Sequence, residues 1–455
     1  MGNSKTRRMA SMAAAAVSVL LLTACGGAGD TNGSANDSAT GKVDGTGKTL
    51  NVLMSIKNQY PEEQQAWFTS MGEKFKEETG AEIEWETFSS ATEETTRIQT
   101  SVVSGQGPDV YGLGTTFTPT AYSTGAFVSL GDKEWEQIGG KDKFIPASLG
   151  ISGPDEKDQI GIPFMSRPYV MAYNTELLTA AGIDKPATTW DELADQAKKL
   201  TEGDQYGLAV GYKDNFDPWK YIWGMSIAAG NPLIDGDKVR LDDPTTEKAY
   251  QTYFGWLTED KVVDPSSVGW SAAQAAAAFA AGKAAYLPMT STMSIPTFDA
   301  SPVKGKYEYA LMPMVPPGET ERPEGGIAAS GILSGDNLVV ADYSTQKDLA
   351  FALVKMITEE DVQTNYYDIF GEIPANAKAA DQLKSNPFVA PALESAAKSV
   401  ATPFSGAWGD VQLALTDVVV QSIPGLSVGA VSASDLSARL GEAQKKAQSA
   451  LDRAK

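Results

Sequence analysis

The sequence predicts an α/β protein in which mostly parallel sheets are flanked by helices. Three observations carry this. From Leu50 onward, short apolar strand patterns alternate with helical periods, and strands joined through helices pair in parallel. At 455 residues, two lobes or domains are expected. A hydrophobic share of 42% with 21% charged residues supplies a core without metals or disulfides.

The first 48 residues read as an address and not as fold. Lys5, Arg7 and Arg8 form a positive start, and an apolar run covers 11–22. At about 12 residues it is too short to cross a ~30 Å hydrocarbon layer as a helix. Leu22-Thr23-Ala24-Cys25 resembles the lipobox of bacterial lipoproteins, so residues 1–24 are expected to be a signal peptide and Cys25 the lipidated residue. Residues 25–48 are rich in Gly, Ser, Thr, Asn and Asp and are expected to be a flexible tether. A lipid anchor would hold the protein at the outer face of the cytoplasmic membrane, extracellular or periplasmic.

The body follows in order. Thr49 to Ser55 is apolar enough for a buried strand. Pro61 to Thr79 is a helix, with Pro61 in its first turn, Phe68, Met71 and Phe75 at helical spacing, and Gly80 after its end. Glu82 to Phe88 alternates as a strand does, Glu93 to Ser104 is a second helix, and Pro108-Asp109-Val110-Tyr111 opens another strand. Tyr169 to Asn174 is a strand. Thr189 and Glu192 fit a capping box for a helix ending near Leu200. Gln205 to Val210 is a strand, Ser271 to Ala281 an alanine-rich helix ended by Gly282, and Ala284 to Pro288 a strand. Leu349 to Thr358 and Val411 to Ile423 are further helices.

Composition excludes several chemistries. There is no histidine, so Ser–His and Cys–His nucleophiles and His-ligated metals are ruled out. Cys25 is the only cysteine, which leaves no intrachain disulfide and no thiol in the body. The formal net charge is −21, and such a field repels nucleic acid and anionic lipid. No catalytic residue, cofactor or metal site is expected.

Four stretches resemble the extracellular solute-binding proteins of ABC importers, in the carbohydrate-binding branch that includes maltodextrin-binding proteins. Ser104-Gly105-Gln106-Gly107-Pro108-Asp109-Val110 resembles the family's G-x-x-PD segment. Gly161-Ile162-Pro163, Tyr173-Asn174, Ala181-Gly182-Ile183 and Thr189-Trp190-Asp191-Glu192-Leu193 match in order and spacing. Phe279 to Tyr286 resembles F-x-x-GKAAM, and Gly371 to Ala375 the late G-x-x-P segment. The resemblance implies a two-lobe type II periplasmic-binding-protein fold joined by hinge strands. It implies an N-terminal lobe of 49–170 and 313–366, and a C-terminal lobe of 171–312 and 367–455. Crossings are expected near Tyr169–Tyr173, Tyr309–Pro313 and Asn365–Gly371. It also implies a monomer that closes on a small solute, a sugar or short oligosaccharide, and delivers it to ABC permease subunits.

A neutral sugar needs aromatic platforms and hydrogen-bonding side chains. The resemblance points to Trp408 as a late cleft tryptophan and to the region of Trp219 and Trp223, four apart on one helix. Loops at the carboxyl ends of strands add Lys57, Asn58 and Gln59, then Glu86 and Phe88, then Tyr111, Thr115 and Thr116. Arg167 and Tyr169 precede the first crossing, and Trp270 precedes the alanine-rich helix. Where many carbohydrate binders carry Gly-x-Trp, this chain has Met289-Thr290-Ser291-Thr292-Met293. Three other readings stay open: a same-fold binder of a non-sugar solute, a carboxylate-dependent glycosidase, and a surface adhesin or sensor.

Overall fold

The structure is a computed structural model and describes residues 43–214, 218–329 and 331–454. The expected signal peptide, Cys25 and most of the expected tether lie outside the described residues, as does Asp217 beside Trp219. The tether's last residues are packed and not free. The Gly45 N–H donates to the Thr79 carbonyl at 2.7 Å, and a Cβ on Gly45 would sit 2.6 Å from that of Ala81. Val43 packs on the first core.

In chain order, β1 (Thr49–Ser55), β2 (Glu82–Phe88), β3 (Val110–Gly114) and β4 (Ile162–Ser166) come first. β5 (Val170–Asn174), β6 (Tyr206–Leu208), a ribbon of β7 (Ile234–Asp235) and β8 (Lys238–Val239), β9 (Ala284–Thr290) and β10 (Tyr307–Ala310) follow. β11 (Gly335–Val340) and β12 (Ile373–Pro374) close the series. One sheet has the order β12-β4-β11-β3-β1-β2, another β10-β5-β9-β6. β2, β1, β3 and β4 share a direction, with β11 and β12 reversed. In the second sheet β10, β9 and β6 agree and β5 is reversed. Most strands thus run one way, while each strand that enters from the other sheet pairs antiparallel with a neighbour.

The helices form where local signals place them. Pro61–Thr79 ends on Gly80 at φ 79°, whose N–H returns to the Lys76 carbonyl. Trp190–Lys199 opens on the expected capping box of Thr189 and Glu192. The second helix starts earlier than expected, at Ala91, because the Ser90 side chain accepts from the Glu93 N–H. Val411–Ile423 is extended to Trp408–Ser427 and runs through Pro424.

Each sheet has its own core. Leu50, Phe75, Val110, Phe164, Leu338 and Leu353 belong to the first. Trp190, Tyr212, Trp223, Tyr253, Trp256 and Leu415 belong to the second. Two of the three passages between the sheets differ in place from expectation. The first lies at 167–169, between β4 and β5. Residues 313–332 were expected with the first sheet, but Ala329 and Ile332 pack in the second core. The Leu333 N–H donates to Val400 O at 2.8 Å, so this passage falls at Ser334 and not at Pro313. Tyr366 and Phe370 remain in the first core and β12 pairs with β4, which moves the third passage beyond Ala375.

Candidate ligand-binding cleft

The shared strand direction brings carboxyl ends to one edge, where open α/β sheets bind ligands. Lys57, Asn58 and Gln59 follow β1, Phe88 ends β2, and Thr115 and Thr116 follow β3. Ala209 to Gly211 follow β6 opposite, and Thr290 and Ser291 lie at the end of β9. All line one cleft, with Arg167, Tyr169, Ser334 and Asp336 of the first two passages at its back. Met289, where the aromatic loop is lacking, lines it at φ 56°, an uncommon conformation for a side-chain-bearing residue.

The aromatic wall comes from the helix Pro218–Ala228. Ten of its eleven residues are buried, so it is a core helix with no solvent face. Trp219 and Tyr221 line the cleft. The Tyr221 hydroxyl donates to Pro288 O at 3.0 Å, and Trp408 packs edge-on against Trp219 at 5.7 Å between ring centroids. Lys220 donates to the Tyr169 hydroxyl at 2.6 Å with its ammonium 4.6 Å from that ring's centroid.

Behind the cleft lies a buried quartet of charges. Lys57 Nζ donates to Glu372 Oε2 at 2.6 Å and lies 3.6 Å from Asp336 Oδ2. Arg167 Nε donates to Glu372 Oε1 at 2.7 Å, and Nη2 to Asp336 Oδ2 at 2.8 Å. Two cations face two carboxylates, so the group is neutral overall. Burial works to raise the Asp336 carboxyl, but Arg167 and Lys57 outweigh it and hold it below the usual carboxylate range. The quartet joins the end of β1, the first passage, β11 and the start of β12.

A second polar group is less well satisfied. Glu94 is buried and lines the cleft, and its carboxyl accepts the Gly114 N–H at 3.2 Å. No cation pairs with it among the described residues. Burial, with the Asp336 charge adding to it, pushes this carboxyl well above its ordinary range despite the Gly114 hydrogen bond. Three residues that line the cleft each carry a buried oxygen without a hydrogen-bond partner: Gln59 Oε1, Thr115 Oγ1 and Gln412 Oε1.

Of the residues expected at the site, Lys57, Asn58 and Gln59, Phe88, Thr115 and Thr116, Arg167, Tyr169 and Trp219 line the cleft. Five do not. Trp408 and Trp223 are fully buried in the second core. Sharing a helix face with Trp219 does not bring Trp223 to the cleft, because that helix is covered all round. Tyr111 is buried under Tyr343, with hydroxyls 2.6 Å apart. Glu86 lies on the edge strand β2 and pairs with Arg97. Trp270 is half-buried against a third apolar cluster. Sequence reasoning missed Glu94, Tyr221, Asp336 and Gln412. Glu94 carried a readable signal: it shares a helical stripe with Ala91, Ile98 and Ser101, all buried.

Two α/β bodies with a polar and aromatic cleft at their strand ends define a solute-binding protein of the two-lobed type II fold. Residues 59–364 match the family model for bacterial extracellular solute-binding proteins, and the chain belongs to that family. The diacetylchitobiose binding protein DasA of Streptomyces coelicolor is 26% identical over 404 residues, covering 86% of this chain and 87% of that one. A Thermotoga lettingae solute-binding protein solved with α-D-tagatose superposes with a TM-score of 0.73 at 21% identity, over 89% of this chain and all of the other. Maltose-bound MalE3 of T. maritima gives 0.72 at 20%, over 87% and 99%.

Proposed function

We propose that this solute-binding protein captures an uncharged sugar or short oligosaccharide in its cleft and hands it, unaltered, to the permease of an ABC importer. One observation carries this reading. The cleft sets the rings of Trp219, Tyr169 and Phe88 beside buried hydrogen-bonding atoms that lack partners, while Lys57 and Arg167 are already neutralised by Glu372 and Asp336. Rings suit the apolar faces of a sugar, and the unpartnered atoms suit its hydroxyls. An anion would have to compete with Glu372 and Asp336 for Lys57 and Arg167. The sugars named for DasA, the tagatose-bound protein and MalE3 support the same class.

Catalysis is not part of the reading. Among the carboxyl groups lining the cleft, Asp336 is committed to Arg167 and Asp214 accepts the Ala272 N–H at 3.0 Å, so Glu94, which accepts the Gly114 N–H at 3.2 Å, has no unengaged second carboxylate beside it. The lobes close about passages at 167–169, at Ser334 and beyond Ala375, and the chain acts as a monomer held to the membrane by lipid on Cys25.

The test is a melting screen of the whole chain, carrying Cys25→Ser, against mono- and disaccharides. A sugar at 100 times its dissociation constant adds ~2.7 kcal/mol of stability, and chromatography recovers it unchanged. A screen in which no sugar raises the midpoint while a charged solute does would overturn the reading.

A further inference from the structure

Glu94, Thr115 and Gln412 reach the cleft from three elements: the helix Ala91–Ser104, the single turn Thr115–Phe117, and the helix Trp408–Ser427, which packs against both. All three side chains are more than nine-tenths buried, at 2%, 6% and 2% exposure. In a folded protein such groups ordinarily find partners, because leaving a buried polar atom unpaired costs about 1–3 kcal/mol. Here Thr115 Oγ1 and Gln412 Oε1 have none, and the Glu94 carboxyl has the Gly114 N–H. Their other common feature is that each lines the cleft.

We propose that Glu94, Thr115 and Gln412 form one specificity subsite that binds adjacent hydroxyl groups of an uncharged sugar and excludes phosphorylated or carboxylated solutes. The proposal rests on the sugar-binding reading and adds which groups select the ligand. Glu94 and Gln412 offer acceptor oxygens, Gln412 also carries an amide NH2 donor, and the Thr115 hydroxyl accepts or donates, so the mismatch with an anion falls on the Glu94 carboxyl. A sugar diol supplies matching donors and one acceptor. A phosphate brings acceptors alone at neutral pH, against a carboxyl group with no cation paired to it. The subsite therefore discriminates by mismatch as well as by attraction.

Structural and binding roles separate cleanly in the variants. Thr115→Val removes a hydroxyl that has no partner in the folded protein, so the ligand-free midpoint holds or rises while sugar affinity falls. Glu94→Gln keeps the shape and keeps an oxygen for the Gly114 N–H. The experiment is calorimetric titration of the whole chain and of Glu94→Gln, Thr115→Val and Gln412→Leu. Probes are N,N′-diacetylchitobiose, maltose, tagatose, ribitol and glycerol 3-phosphate, with Glu86→Gln as a control outside the cleft. The parent chain is expected to bind an uncharged probe and not the phosphate. Each subsite variant weakens that binding roughly tenfold, as loss of a hydrogen bond in a dry site does, and the control leaves it unchanged. If sugar affinity survives Thr115→Val and Glu94→Gln, the subsite is wrong and the sugar reading stands. If the parent binds glycerol 3-phosphate and no uncharged probe, both fall. Should Glu94→Gln fail to fold, Thr115→Val decides alone.

Discussion

Trp408 is fully buried and touches the edge of Trp219, which lines the cleft. A tryptophan placed by analogy at a binding site thus supports the ring at the wall. Glu94 shows the opposite case, an acid not expected at the site that lies on the buried stripe of its helix and lines the cleft. Its raised pKa has a stability consequence. A carboxyl whose folded pKa exceeds its unfolded value weakens the fold once pH rises above that unfolded value, and has no such effect below it. Glu94→Gln is therefore expected to raise the ligand-free melting midpoint at pH 7, with the gain shrinking as pH falls toward the ordinary 4.5 and absent below it. The groups facing Glu94 are the Gly114 N–H and the Asp336 carboxylate, and Asp336, held low by Arg167 and Lys57, stays charged through that range. The quartet gives a second expectation. Glu372→Ala would leave Lys57 and Arg167 sharing one buried carboxylate, a loss of about 3–5 kcal/mol in denaturant unfolding, as for other buried pairs broken on one side.

At the scale of elements, start signals were the most legible feature. The capping box of Thr189 and Glu192 is read directly from spacing, and both halves form: the Thr189 side chain accepts the Glu192 N–H, and Glu192 Oε2 accepts the Thr189 N–H at 3.3 Å. Ser90 does similar work for the helix that carries Glu94 to the cleft. Ser90→Ala is expected to cost about 1 kcal/mol of stability. It should also weaken sugar binding, because Glu94 sits in the first turn; a calorimetric titration beside the melt checks both. Ends and passages were harder to read. The helix expected over Val411–Ile423 runs from Trp408 to Ser427 through Pro424, with Val418, Val419 and Leu426 buried on either side. Segment 313–332 has little periodicity, so only its packing assigns it to the second core.

At the scale of the molecule, two sheets with separate cores meet at a cleft whose back is the charge quartet. The quartet draws on segments from both ends of the sequence, Lys57 and Glu372 being 315 residues apart. The proposed closure about the three passages predicts a smaller radius of gyration in X-ray scattering when a sugar that shifts the melt is added, and no change with one that does not. If Cys25 carries the proposed lipid, Cys25→Ser moves the protein from the membrane fraction to the medium or periplasm.

The strand and helix order, the acidic character, the absence of histidine chemistry and the loops at the cleft were written in local pattern. These depend on periodicity, capping and composition, which neighbouring residues carry. Which tryptophan lines the wall, which cations are neutralised and which acid is buried alone depended on tertiary structure. Each is a matter of what another segment, often hundreds of residues away, brings into contact: Glu372 to Lys57, Trp408 to Trp219, and Gln412 to the same cleft as Thr115.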